Sequence, residues 1–251
     1  DTQTKISNVG FIYSFPTTQG SLVIGAGYNQ HSAANRALGI NARNENSTIT
    51  DQFKTPGNTY SDIAFDTYAI DYGDEFQDWD ESILRIGFDQ FGDYLGIRQQ
   101  AEITERGNGG EYSAFVATEF LPNLMVGASV GILAGNFTYN RVFQEVDNFN
   151  DYNFAAIDSD EDGELDTDID TILLSDEVES RYSGFRGRVG ALYKITPFLN
   201  IGASYTLPSK ISVDENYNAE IRTSFDYGEG LNDALEAQFS YSVSYPSRIG
   251  L

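Results

Sequence analysis

Alternation with a period of two residues is the feature that most limits how this chain can fold. Over residues 124–132 one parity reads Leu124, Val126, Ala128, Val130 and Ile132, and the other reads Met125, Gly127, Ser129 and Gly131. Successive side chains of a strand point to opposite faces, so such a segment offers one greasy face and one small or polar face. The pattern recurs along the chain. Residues 21–28 set Leu22, Ile24, Ala26 and Tyr28 against Ser21, Val23, Gly25 and Gly27. Residues 200–206 set Ile201, Ala203 and Tyr205 against Asn200, Gly202, Ser204 and Thr206, and residues 239–245 set Phe239, Tyr241, Val243 and Tyr245 against serines. Residues 185–195 set Phe185, Val189, Ala191, Tyr193 and Ile195 against Arg186, Arg188, Gly190 and Lys194, with Gly187 and Leu192 on the unexpected parity. The reading is an all-β, antiparallel fold with about eight strands, near 8–15, 20–30, 97–106, 110–120, 123–143, 178–196, 199–222 and 237–251. Gly107-Asn108-Gly109-Gly110 reads as the turn between the third and fourth.

Alternation alone fits a soluble β-sandwich as well as a membrane barrel. The connections separate the two. Thr17-Thr18-Gln19-Gly20, Leu121-Pro122-Asn123 and Thr196-Pro197-Phe198 read as tight turns on one side of the strands. On the other side the links are long, polar and mostly acidic, near 30–96, 144–178 and 223–236. Outer-membrane barrels have this asymmetry of short periplasmic turns and long extracellular loops. Tyr28, Tyr139, Tyr193, Tyr205, Tyr241 and Tyr245 fall near strand ends, as an aromatic girdle requires. Because an open half-barrel would leave unpaired backbone groups in lipid, either eight strands close on themselves or further strands lie outside this sequence.

Composition excludes other classes. A net charge of -23 opposes nucleic-acid partners, whose phosphates need Lys and Arg to displace counterions. The absence of cysteine removes disulfides, thiol catalysis and Cys-based zinc sites. No apolar run is long enough for a transmembrane helix, and the first residues lack the apolar stretch of a signal peptide; neither observation bears on strands. His31 has no Ser or Asp partner in a recognisable catalytic motif, so the sequence suggests no enzyme.

The segments FLPNLMVGASVGILAGNFTYNRVF and YKITPFLNIGASYTLPSKISVDENY share a Pro- or Asn-containing turn, an apolar residue, Gly-Ala-Ser on an outgoing strand and then an acidic loop. With VSYPSRIGL, they resemble the FadL/TodX family of outer-membrane transporters of hydrophobic compounds, over most of residues 95–251. The resemblance implies a bacterial outer-membrane β-barrel of about 14 strands, plugged by an N-terminal hatch, that passes fatty acids or hydrocarbons without chemistry. It also implies that residues 1–251 are the central part of a longer barrel, with the hatch and the last strands missing. Its partners would be hydrophobic small molecules and outer-membrane lipid. Some relatives act as scaffolds in protein secretion or attachment, and a soluble calcium-binding β-sandwich adhesin is a further alternative.

Three groups are candidate sites. Arg98, Glu102, Arg186, Arg188 and Lys194 occupy the non-greasy parity. They either pair internally or hold a ligand carboxylate, for which an arginine fork such as Arg186 and Arg188 has the right shape. Tyr68, Phe76 and Trp79, within the aromatic stretch 63–79, either pack a local core or form a capture groove like the family's. Residues 155–180 hold eleven acids and no Lys or Arg. There Asp158, Asp160, Asp162, Glu164 and Asp166 surround Gly163 with spacing close to a calcium loop, although Ile169 replaces the usual bidentate Glu. Calcium is the only cofactor suggested; a solvated acidic loop is the alternative.

Overall fold

The computed structural model describes residues 7–18, 20–55, 57–71, 81–82, 84, 96–150, 158, 163–164 and 167–251. Strands β1 (Asn8–Phe15) and β2 (Leu22–Asn44) are followed by two short helices, α1 (Thr50–Phe53) and α2 (Ser61–Asp66), and a two-stranded ribbon, β3 (Ile70–Asp71) with β4 (Glu81–Ser82). Then come β5 (Ile97–Leu121), β6 (Leu124–Val146), β7 (Ile169–Thr196), β8 (Leu199–Thr206), β9 (Ser209–Phe225), β10 (Leu231–Tyr245) and β11 (Arg248–Gly250). All except β3 and β4 form one antiparallel sheet, in which β1, β2, β5, β6, β7 and β8 pair in succession, β9 pairs with β7 and β10, and β11 pairs with β8. The sheet is open: its edges are β1 on one side and β10 with β11 on the other.

Nine strands trace only seven paths. β7 pairs with β8 along its last third and with β9 along the rest, so β8 and β9 are one course broken at Leu207-Pro208. β10 and β11 are likewise one course, broken at Pro246-Ser247. The predicted eight becomes seven because residues 97–106 and 110–120 are a single strand that runs straight through Gly107–Gly110. The strands also reach well into what reads as loop. β7 has 28 residues, about 90 Å at the usual rise. The true connections on that side are therefore 45–96, 147–168 and 226–230. The turn side matches its sequence reading: at Pro122-Asn123, proline takes a position that needs no donor and Asn123 adopts φ 67, the demand of a type II turn.

Register divides the residues into two faces. Face A carries Val9, Phe11, Tyr13 and Phe15; Leu22, Ile24, Ala26 and Tyr28; Tyr112, Ala114, Val116 and Phe120; and the apolar parities of β6, β7 and β8. Gly187, the one gap, is covered by Leu207 folding back from the next course. The band holds no charged residue, yet Val130, Ile132, Phe185, Val189 and Ile201 are each about half exposed. Phe185 to Ile195 spans about 33 Å along the strand.

The two proline breaks lie side by side, since Thr206 pairs with Arg248 just before them and Ser209 with Tyr245 just after. Each adds residues that shift the side-chain alternation by one, as a bulge does. Consequently Phe239, Tyr241, Val243 and Tyr245, read from sequence as continuing the greasy face, lie on face B with Val213 and Ile211. The serines between them take face A. Tyr139 also falls on face B, so of the proposed girdle only Tyr28, Tyr193 and Tyr205 sit on face A.

The buried core lies at the long-connection end of face B. Ile49, Phe53, Ile63, Ala64, Ala69, Ile70 and Leu84 pack onto Ile97, Ile172, Leu174, Ala219 and Ile221 of the sheet. Tyr60, Phe65 and Tyr68 flank this cluster.

Candidate functional site

Face B carries three polar constellations, all built by strands whose alternate residues point the same way. At the end carrying the core, Glu145 of β6 is fully buried. It accepts from the Thr48 hydroxyl, from the Ile49 N–H at 2.8 Å and from Gln99 Nε2 at 2.6 Å. Burial nevertheless pushes its carboxyl above the usual range, because three donors do not repay the lost hydration.

The second centres on Asp176 of β7. Arg141 Nε donates to it at 2.6 Å, Tyr60 OH at 2.7 Å and Tyr217 OH at 3.1 Å, while Tyr217 also reaches Tyr60 at 3.0 Å. Burial raises both phenols, and the adjacent carboxylate adds to the effect. Burial would lower the Arg141 guanidinium, but Asp176 outweighs it and holds it above its ordinary value. These two constellations fasten the connection after β2 to the sheet.

The third lies at mid-sheet. Glu111 of β5 reaches across β6 to the arginines of β7. Arg188 grips it in a fork, Nη1 to Oε1 at 3.0 Å and Nη2 to Oε2 at 2.9 Å, and Arg186 Nη1 adds a contact at 3.2 Å. His31 Nε2 lies 3.2 Å from Oε2. The bulge between Gln30 and Ser32 leaves His31 outside the ladder, free to aim at this carboxylate. Glycine at 131 makes the crossing feasible: a Cβ there would stand 2.3 Å from Glu111 Oε1.

Of the cations singled out by sequence, Arg186 and Arg188 are therefore together and internally paired. Lys194 shares their face but lies six residues beyond Arg188, about 20 Å along the strand. Arg98 and Glu102 are on face A, opposite the fork, and Arg98 donates to Asn41 at 3.2 Å. Their parity was misassigned because the strand containing them continues to Leu121 without a turn. Tyr68 packs against the buried cluster with φ 57; Phe76 and Trp79 lie outside the described residues.

The acidic loop is described at two of its candidate ligands, Asp158 and Glu164; Asp160, Asp162 and Asp166 lie outside the described residues. Gly163, at φ 93, donates its N–H to Asp158 Oδ2 at 2.7 Å, a tight turn at the position where a calcium loop also turns. Among the described residues no group of three or more His, Asp or Glu is placed to hold a metal.

Sequence reasoning missed Glu111 because the glycines before it look like a turn. It missed Arg248 because the fold brings it beside Arg188 only through Thr206, pairing with one on each side. No family model matches the chain, and no curated protein matches it significantly.

Proposed function

We propose that this chain is part of the wall of an outer-membrane β-barrel of the FadL/TodX kind, through which hydrophobic molecules cross without covalent chemistry. One observation carries the reading: a charge-free, half-exposed apolar band that continues on face A across β1, β2, β5, β6, β7 and β8. With strands tilted about 40°, a 33 Å stretch stands about 25 Å tall, the height of the lipid-facing band of such barrels. A soluble sandwich would bury this band under a second sheet, and no described segment covers it. Further strands would pair the open edges, since unpaired backbone groups are costly in lipid.

Face B then lines the lumen, with small residues near the turns, the Glu111–arginine cluster at mid-height and the α1–α2 connection folded over the outer end. Tyr68 belongs to that folded connection rather than to an open groove. Calcium at the acidic loop remains a separate proposal, to be read by calorimetric titration of the full-length protein.

The test is fractionation of the full-length protein, with gel mobility compared before and after heating. Recovery in the outer membrane with heat-modifiable mobility supports the barrel. A soluble protein whose stability rises with calcium would favour the adhesin reading and end the transport argument.

A further inference from the structure

We propose that Glu111 sets the charge selectivity of face B, as an internal carboxylate seated where an anionic ligand would bind. The inference rests on the reading of face B as a passage lining. The fork of Arg186 and Arg188 has the geometry that recognises a carboxylate, and Glu111 already fills it from three nitrogen donors. Its side chain is 4% exposed, so the carboxylate is enclosed by its partners and not merely near them.

A second observation shows that the cluster is not charge-balanced. Arg248 stands in the same cross-strand row as Arg188 and, among the described residues, has no carboxylate partner. Arg186, Arg188, Arg248, Tyr245 and Pro246 line a concavity of about 150 Å³ at the paired proline breaks. Three guanidiniums thus line one concavity, and two of them hold Glu111. The apolar parity of β10, turned onto face B by those breaks, runs away from this concavity through Val243, Tyr241 and Phe239.

The arrangement treats neutral and carboxylate amphiphiles differently. A neutral one lies along the β10 strip without contesting the fork. A carboxylate must displace Glu111 or settle for Arg248 alone. Glu111 therefore biases the lining toward neutral molecules, and its removal uncovers a ready-made carboxylate site. The glycine at 131 is part of the device, because a methyl group there would push Glu111 off the arginines without altering any charge.

The test measures binding of hexanoate and hexan-1-ol to the full-length protein in detergent by calorimetry, for the natural sequence, Glu111→Gln and Gly131→Ala. Both variants should raise hexanoate affinity by about tenfold or more, the scale of one charge-assisted competitor, and leave hexanol unchanged. An unchanged or lower hexanoate-to-hexanol ratio in a folded variant overturns the role of Glu111 while the passage reading stands. If neither probe binds any of the three proteins, both fall. Should Glu111→Gln fail to fold, Gly131→Ala decides alone, since it retains every charge.

Discussion

Val189 and Ile195 are both on face A of β7 and nearly equally exposed, at 47% and 45%. If that face meets water, arginine at either position costs the same small amount, because the surroundings differ little. If it meets lipid, depth decides. The band from Phe185 to Ile195 is centred near Gly190, which puts Val189 about 3 Å and Ile195 about 17 Å from the centre along the strand. A lipid-facing arginine costs about 2–4 kcal/mol at the midplane and about 0–1 near the interface. Val189→Arg should therefore destabilise the protein by about 2–3 kcal/mol more than Ile195→Arg. Guanidinium unfolding of the full-length protein from lipid vesicles, extrapolated linearly, resolves such a gap. Penalties that agree within about 0.5 kcal/mol would refute the lipid assignment of face A, whatever their common size.

Face inversion at the proline breaks is checked by single cysteines, which this cysteine-free chain allows without background. A fluorophore at Ile201 or Ile249 should be quenched by brominated lipid, while one at Tyr241 should not; quenching at all three would restore the sequence reading. Arg141→Ala leaves the buried Asp176 without its charge partner and should cost about 3–5 kcal/mol, whereas Tyr217→Phe, which removes one of several donors, should cost about 1 kcal/mol; equal losses in thermal or chemical unfolding would contradict this network. Because the Glu145 carboxyl is raised in the folded state, its contribution is complete below the ordinary carboxyl range and is lost as pH rises through the folded value. Amide exchange in residues 48–53 should accordingly quicken as pH climbs beyond its intrinsic base-catalysed trend, and Glu145→Gln should abolish that excess; an excess that persists in the variant would place the titrating group elsewhere.

Strands were legible where their two faces differ in chemistry, as at residues 124–132 and 185–195. Beyond the band apolar residues no longer keep to one parity, as in Ile172-Leu173-Leu174, so the outer parts of β2 and β7 lose their period and read as loop, although β2 stays paired with β5 beyond the His31 bulge and β7 stays paired with β6 and β9. Gly109 and Gly110 looked like a turn for a related reason. Neither has positive φ. They are glycine because tyrosine side chains occupy the space a Cβ would need: one at Gly110 would meet Tyr28 at 2.4 Å, and one at Gly109 would strike the Tyr182 hydroxyl. Glycine in a strand marks close approach as readily as a bend, and only the neighbouring strands reveal which. The arginine fork was visible as a pair of alternate residues, but its occupant was not, since Glu111 is 75 residues away and on a strand that β6 separates from β7.

The proline breaks also explain why an acidic, serine-rich course can follow a greasy one in the same sheet. Before Leu207, the β8 course keeps its apolar parity on face A, as Ile201, Ala203 and Tyr205 require. After Pro208, face A of β9 and β10 carries Asp214, Asn216, Asn218 and Glu236, while Ile211, Val213 and Tyr217 turn to face B. Without a shift of one residue, these acids would lie on face B and Ile211, Val213 and Tyr217 on face A. Two aligned breaks accomplish that exchange in adjacent courses while preserving their pairing, since a shift in one alone would set apolar residues opposite polar ones. The same shift delivers Arg248 to the row of Arg188 and an apolar strip beside it. The edge of the apolar band and the cationic concavity are thus set by one backbone feature, and moving either proline should disturb both.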